Sequence, residues 1–183
     1  VATRQIDLVA SWMSFGFIHG VMNSDNILIC GQTIDFGPCA FMEKFDPGRV
    51  FSSIDRNGRY AFDQQKSIIL WNLTRFAESI LPLICDGDVE KTIPLIEEEL
   101  AKFSEIFDDL YYSKMTKKIG ITDFQESDQD LVDDFLDILE EKQLDFTNSF
   151  RALSGFVKNG DFTVDGVDLI NKGDSDFSNW SLK

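Results

Sequence analysis

Basic residues are scarce in this sequence. Lys and Arg total 17 against 32 Asp and Glu among 183 residues, a formal net charge of −15. A surface of that sign repels phosphate polyanions and anionic lipid. It therefore excludes a general nucleic-acid or membrane-surface role and leaves phosphate recruitment to a local cationic site or a metal ion. Cysteine is sparse too: Cys30, Cys39 and Cys85 stand at no short paired spacing, the pattern of reduced thiols in an intracellular protein. No apolar run approaches the ~20 residues that span a bilayer. No charged, apolar and small-residue cleavage pattern opens the chain, which begins at Val1 as a fragment or a processed chain does. Internal repeats and low-complexity blocks are absent. Apolar residues, by contrast, make up 43%, and 17 are Phe, enough for the sizeable core of one large domain.

Residues 4–17 carry Ile6, Val9, Ala10, Met13 and Phe17 at helical spacing, with Arg4, Gln5, Asp7 and Ser14 on the other faces. This predicts an amphipathic helix, ended by Gly16 and Gly20. A polar loop from His19 to Asn26 follows. Ile27-Leu28-Ile29-Cys30 and Thr33-Ile34-Asp35 then flank Gly31-Gln32, the signal of a hairpin with a two-residue type II′ turn. Residues 36–62 read as irregular, punctuated by Gly37-Pro38, Asp46-Pro47-Gly48 and Asn57-Gly58 and packed by their own aromatic side chains. The broad apolar stripe from Asp63 to Ile84, Trp71 included, predicts a mostly buried helix. Ile96, Leu100, Phe103, Phe107 and Leu110 repeat at 4-3-4-3 spacing, in a helix that ends at Lys117-Lys118 before Gly120. Further helices are expected over 128–143, with Leu131, Phe135 and Leu139 inward and acids outward, and over 147–157. The last dozen residues read as a loose tail. Asp161 to Gly166 imitates the start of a calcium loop, but its twelfth position is Lys172 instead of a bidentate Glu, so it reads as a solvated turn. The cysteines and Trp71 are expected in or near the core.

The chemistry is concentrated in the first forty residues. Protein kinases use His-Arg-Asp, four residues, then Asn, with Asp-Phe-Gly further on. The first Asp handles the attacking hydroxyl, while the Asn and the second Asp hold Mg²⁺ against the nucleotide phosphates. Here His19 and Asn26 have the kinase separation, and Asp35-Phe36-Gly37 follows. The position of the kinase base is Val21, which cannot take a proton. If Gly31-Gln32 is the turn, Cys30 pairs with Thr33 and Leu28 with Asp35, which makes Asn26 and Asp35 diagonal neighbours on one face, about 7–8 Å apart. Two oxygens reaching inward from there can meet on one cation at the roughly 2.0–2.1 Å that Mg²⁺ demands. Asp25 is the nearby carboxylate available to replace the missing base. The alternative for all three residues is a capping or turn role, since Asn and Asp favour loops. His19, the one histidine, reads as a residue that holds the loop in shape.

The same stretch resembles a specific family. Gly16-Phe-Ile-His-Gly-Val-Met-Asn-Ser-Asp-Asn26, Thr33-Ile-Asp-Phe-Gly-Pro38, Asp46-Pro47, Gly58-Arg-Tyr-Ala-Phe62 and Trp71-Asn72-Leu73 are similar to the motifs of selenoprotein O, across about residues 1–85. Ser24 and Phe36 depart mildly from the family's more frequent Thr and Tyr. The resemblance implies a pseudokinase fold that binds ATP inverted and transfers AMP to Ser, Thr or Tyr hydroxyls of protein substrates. It implies Asp25 as the catalytic base, Asn26 and Asp35 as ligands of Mg²⁺ or Mn²⁺, and Asp35 near the nucleotide. It implies a mitochondrial compartment in a eukaryote and a cytoplasmic one in a bacterium. No Gly-x-Gly loop and no strand lysine precede the motif, and the carboxy-terminal redox cysteine of some members is absent.

The expected fold is accordingly mainly α, a protein-kinase-like C-lobe fragment with a small β-hairpin carrying the metal-binding residues. Residues 1–183 are expected to form a single unit, 1–62 holding the catalytic loop, hairpin and irregular segment and 63–183 the helical remainder. Such a chain, lacking the N-lobe of the same protein, is expected to be inactive alone. The competing reading is a catalytically silent pseudokinase scaffold that binds a protein partner. Retention of Asp25, Asn26 and Asp35 together favours the enzyme.

Overall fold

The computed structural model describes residues 1–165, 167–170 and 174–183. Its first helix, α1 (Ala2–Ser14), is the centre of the packing. Ile6, Val9, Ala10 and Met13 lie on one stripe at 0–8% exposure, as their spacing demands. α1 packs chiefly against α4 (Phe103–Lys118) and next against α2 (Gln65–Ile80). Two residues expected on its polar faces, Gln5 and Ser14, are buried instead. Ser14 is satisfied locally, donating to the Ser11 carbonyl, and Gln5 reaches the loop described below.

After α1 the chain turns through Gly16 into β1 (Phe17–Ile18), which pairs antiparallel with β2 (Ala40–Phe41) in the register Phe17↔Phe41 and Ile18↔Ala40. This two-stranded sheet closes the base of the loop formed by residues 19–39. Residues 42–64 carry no regular element, as their turn residues predict. Phe45 and Phe62 seal this segment onto the Phe146 ring, with ring centroids 5.7 and 6.5 Å away.

The helical remainder departs from the sequence pattern in three places. α2 is not a mostly buried helix: Gln65, Ile68, Ile69, Asn72 and Leu73 are buried, whereas Phe76, Ala77 and Ile80 are half-covered. Trp71 is 41% exposed; it lies between the guanidinium groups of Arg59 and Arg75, at 5.1 and 5.6 Å. The run from Ile96 to Leu110 is not one face. Lys102 separates α3 (Val89–Ala101) from α4, and the bend turns Phe103, Phe107, Tyr111 and Met115 inward while Ile96, Leu100 and Leu110 stay half-buried. The carboxy-terminal residues are not a loose tail throughout. α7 (Ser175–Ser181) is capped by the Asp174 side chain and docks Phe177 against the Phe156 and Phe162 rings and Trp180 against α5 (Gln129–Glu141). There Trp180 Nε1 donates to the Leu131 carbonyl at 2.8 Å. Two aromatic anchors outweigh a polar composition.

α6 (Phe146–Asn159) follows α5, and a short hairpin of β3 (Thr163–Val164) and β4 (Val167–Asp168) sits where the calcium-loop imitation falls; Gly166 and Lys172 lie outside the described residues. Cys30 and Cys85 are exposed and Cys39 is half-buried, all three as free thiols, so the expectation of core thiols fails for the first two. Among the described residues, no helix is long and apolar enough to cross a membrane.

One half-buried amine joins three elements. Lys118, at the end of α4, donates to the Ser14 carbonyl at the end of α1 and lies 4.3 Å from the Phe146 ring centroid and 3.7 Å from that of Phe150. Burial pushes its pKa down from the ordinary 10.5 to about 7. An unfolded lysine keeps its proton up to about pH 10.4, so between about pH 7 and 10.4 the unfolded state binds the extra proton and stability from this group rises with pH. Urea melts should therefore show the native chain gaining stability relative to Lys118→Met as pH is raised from 7 to 10, and a pH-independent difference would contradict this. Trp180→Ala should cost about 3–5 kcal/mol in the same measurement, whereas a loose tail would lose nothing.

Candidate active site

The loop of residues 19–39 has little secondary structure, so its polar backbone groups need partners from elsewhere. Side chains from α1 and α2 supply them. Gln65, at the start of α2, is fully buried; its Nε2 donates to the Phe17 carbonyl at 3.0 Å and its Oε1 accepts from the His19 N–H at 3.1 Å. Two turns on, Asn72 Nδ2 donates to the Met22 carbonyl at 2.9 Å. From α1, Gln5 Nε2 donates to the Leu28 carbonyl, and Trp12 Nε1 donates to Thr33 Oγ1 at 3.1 Å.

His19 is the hub within the loop. Its ring stacks on Trp12, centroids 5.2 Å apart. Nε2 donates to the Ile34 carbonyl at 2.7 Å, and Nδ1 accepts the Val21 N–H at 3.4 Å. Both nitrogens are used by the neutral Nε2–H tautomer, and burial pushes the pKa below its ordinary value against the opposing pull of the Ile34 carbonyl and the Asp35 charge. His19 is thus a structural tie between the loop and the segment that carries Asp35, in line with the sequence reading.

The hairpin expected here is not formed as such. The one ladder contact between the two arms is an antiparallel bridge, Ile27↔Thr33, with a turn closed by Gly31 N–H to the Leu28 carbonyl at 2.9 Å. The expected register paired Cys30 with Thr33, so the arms are offset by three residues (30 − 27). The cause is α1. Leu28 and Thr33 are bonded by Gln5 and Trp12, and a Cβ on Gly31 would come within 2.9 Å of Arg4 Cβ. The strands dock on a helix instead of extending a ladder.

Counting outward from the bridge, position 26 faces 34 and position 25 faces 35. An odd offset would put Asn26 and Asp35 on opposite faces of a continued ladder, so the expected same-face diagonal is not formed. The ladder ends at the bridge, and the two segments are joined instead through His19, which bonds both the Val21 N–H and the Ile34 carbonyl. Asn26 ends a single 3₁₀ turn, Ser24–Asn26, and its Nδ2 donates to the Val21 carbonyl at 3.0 Å. That commits the nitrogen and leaves Oδ1 as the free acceptor. Asp35 is exposed and adopts the left-handed conformation (φ 54°), its Oδ1 taking the Gly37 N–H at 3.4 Å. Asp is among the few non-glycine residues that tolerate this backbone. Gly20 lets the segment after Asp35 approach: a Cβ there would stand 3.0 Å from the Pro38 carbonyl oxygen. Asp25 is exposed in the 3₁₀ turn, with no hydrogen bond or ion pair among the described residues. Next to it, Asn23 Oδ1 accepts from the Tyr60 hydroxyl, and Asp55 holds that part of the irregular segment by accepting the Arg59 and Tyr60 N–H groups at 2.9 and 2.8 Å.

One carboxamide oxygen and one carboxylate are hard donors suited to Mg²⁺ or Mn²⁺, which keep several waters when few protein groups meet them. Among the described residues no group of three or more His, Cys, Asp or Glu is disposed around a common cation, so the donor types of Asn26 and Asp35 fit a weakly held hydrated ion and not a closed structural site. Sequence reasoning missed the positioning residues Gln5, Gln65 and Asn72. The available signal was a carboxamide inside an otherwise apolar helix face.

Comparison with known proteins places this chain in a family. The family model for protein adenylyltransferase SelO matches residues 1–181. The chain is 48% identical over 169 residues to the protein nucleotidyltransferase YdiU of Rhodopseudomonas palustris (strain HaA2), covering 92% of this chain and 33% of that protein. It is 46% identical over 180 residues to the protein of the same name from strain BisB18, covering 98% and 36%. Against the one from Halalkalibacterium halodurans it is 48% identical over 154 residues, covering 84% and 31%. The chain spans about a third of the length of the curated relatives it matches. With the family model running over nearly its whole length, the chain belongs to the protein adenylyltransferase SelO family.

Proposed function

We propose that this chain is the metal-bearing, kinase-like C-lobe part of a protein nucleotidyltransferase that moves AMP from ATP to Ser, Thr or Tyr hydroxyls of protein substrates. Residues 1–183 act in it as one unit, the site in 1–62 braced by the helices of 63–183, with the nucleotide-covering N-lobe supplied by the same protein. The compartment is the bacterial cytoplasm, or the mitochondrion in a eukaryote. The observation that supports the reading is the hydrogen-bond chain through His19, which ties the Ile34 carbonyl beside Asp35 to Val21, whose own carbonyl takes the Asn26 nitrogen and leaves the Asn26 oxygen free.

Asp25 is the general base: exposed and unpaired, it is open to a substrate hydroxyl. It takes the hydroxyl proton as the substrate oxygen bonds to the α-phosphorus of ATP, and the bond from that phosphorus to the α–β bridging oxygen breaks to release pyrophosphate. Asn26 and Asp35 would hold the divalent ion, which supplies neutralisation of phosphate charge. His19 moves no proton in this scheme, because both its ring nitrogens are spent on backbone groups. Val21, where a kinase has its base, contributes only backbone: its carbonyl orients Asn26.

In the full-length protein, Asp35→Ala should abolish metal-dependent AMP transfer while leaving the circular-dichroism melt unchanged. Asp25→Ala should cut transfer by about 10²–10⁴-fold, the usual contribution of a general base, with metal–nucleotide binding nearly intact; an unchanged rate would move the base elsewhere. Calorimetry of Mg²⁺-ATP with the 183-residue chain alone should show little heat, since a net charge of −15 opposes the phosphates and two oxygens hold the ion weakly. Tight stoichiometric binding would show that the nucleotide pocket lies within these residues.

A further inference from the structure

An apolar groove runs from the 24–29 segment along the second half of α2 and between α2 and α3. Three adjoining cavities form it. The first, 330 Å³, lies among Ile27, Ile29, Leu73 and Phe76. The second, 270 Å³, shares Leu73 and Phe76 and adds Ile80 and Leu95. The third, 260 Å³, continues over Ala77, Ile96 and Leu100. Ile29 is 60% exposed, Leu95 51% and Ile93 40%. Single exposed apolar residues are ordinary, but a continuous apolar trough is a contact surface.

Its floor is chemically incomplete. Gln5 and Asn72, 1% and 5% exposed, both line the first cavity. Their nitrogens bond the loop, but Gln5 Oε1 and Asn72 Oδ1 are closed to bulk water and have no partner. Buried acceptors are almost always satisfied in native proteins. On the rim, Arg75 pairs with Glu78 and Lys102 with Glu99, while Glu97 has no ion-pair partner among the described residues. The rim therefore favours a cationic neighbour.

We propose that a segment of the same polypeptide, lying outside these 183 residues, covers this groove: an amphipathic stretch with an apolar face and a basic flank. The relatives are about three times as long as this chain, so the family carries ample further polypeptide. An apolar trough continuous over three cavities suits a permanent cover better than an intermittent partner. The inference uses no catalytic assignment, so either can fail without the other.

The test is photo-cross-linking in the full-length protein, with p-benzoylphenylalanine replacing Leu95 in one variant and Ile29 in another. Both side chains are already exposed, so each variant should fold. At sub-micromolar concentration, the expected product runs at single-chain mass, and peptide mapping joins position 95 or 29 to residues outside this chain. A cross-link to a second copy, to a separate protein, or only to residues within these 183 would overturn the proposal, as would no cross-link from either position.

Discussion

Polar groups of an irregular loop, several of them taken by side chains from two helices, are the constraint on which the site depends. Gln65, Asn72, Gln5 and Trp12 reach residues 17–33 from α2 and α1. A loop without a ladder would otherwise leave polar groups unpaired beneath the surface, at about 1–3 kcal/mol each. The helices can hold it because they are themselves fixed: α1 is gripped by α4, and the α1 terminus is tied to α4 and α6 through Lys118. Core packing is in this way converted into the position of three polar side chains at the surface.

Within the loop the same logic is repeated on a smaller scale. His19 connects Val21 to Ile34, and Val21 in turn orients Asn26. Asn26 and Asp35 are therefore set by a chain of hydrogen bonds that passes through a neutral, buried imidazole. The left-handed backbone of Asp35 adds a local cost that this scaffold sustains.

Much of this was legible in the sequence. The helical stripes of α1 and α5 and the turn-rich character of residues 36–62 follow from periodicity and punctuation, and the family from the motifs around His19, Asn26 and Asp35. The register of residues 27–35 was not legible, because α1 side chains, and not cross-strand bonds, decide where that segment docks. Gln5 was assigned to a solvent face for a related reason: its polarity hides that its nitrogen serves a buried carbonyl. α7 was missed because Phe177 and Trp180 stand in a stretch of Gly, Asp and Ser, and two anchors do not make a periodic pattern. The bend at Lys102 likewise splits a spacing that reads as one helix.

The acidity of the chain sets a sharp contrast for the central claim, that Asn26 and Asp35 share one cation. Metal ions attracted by charge alone would gather along the solvated acids of α5, whereas a site built from the two arms would draw them to the loop. Backbone amide NMR of the 183-residue chain, titrated with trace Mn²⁺ in a background of physiological salt, separates the two. The account predicts selective line broadening at residues 25–26 and 34–37 that disappears in Asp35→Ala. Broadening centred on residues 130–141 and unchanged by that substitution would contradict it.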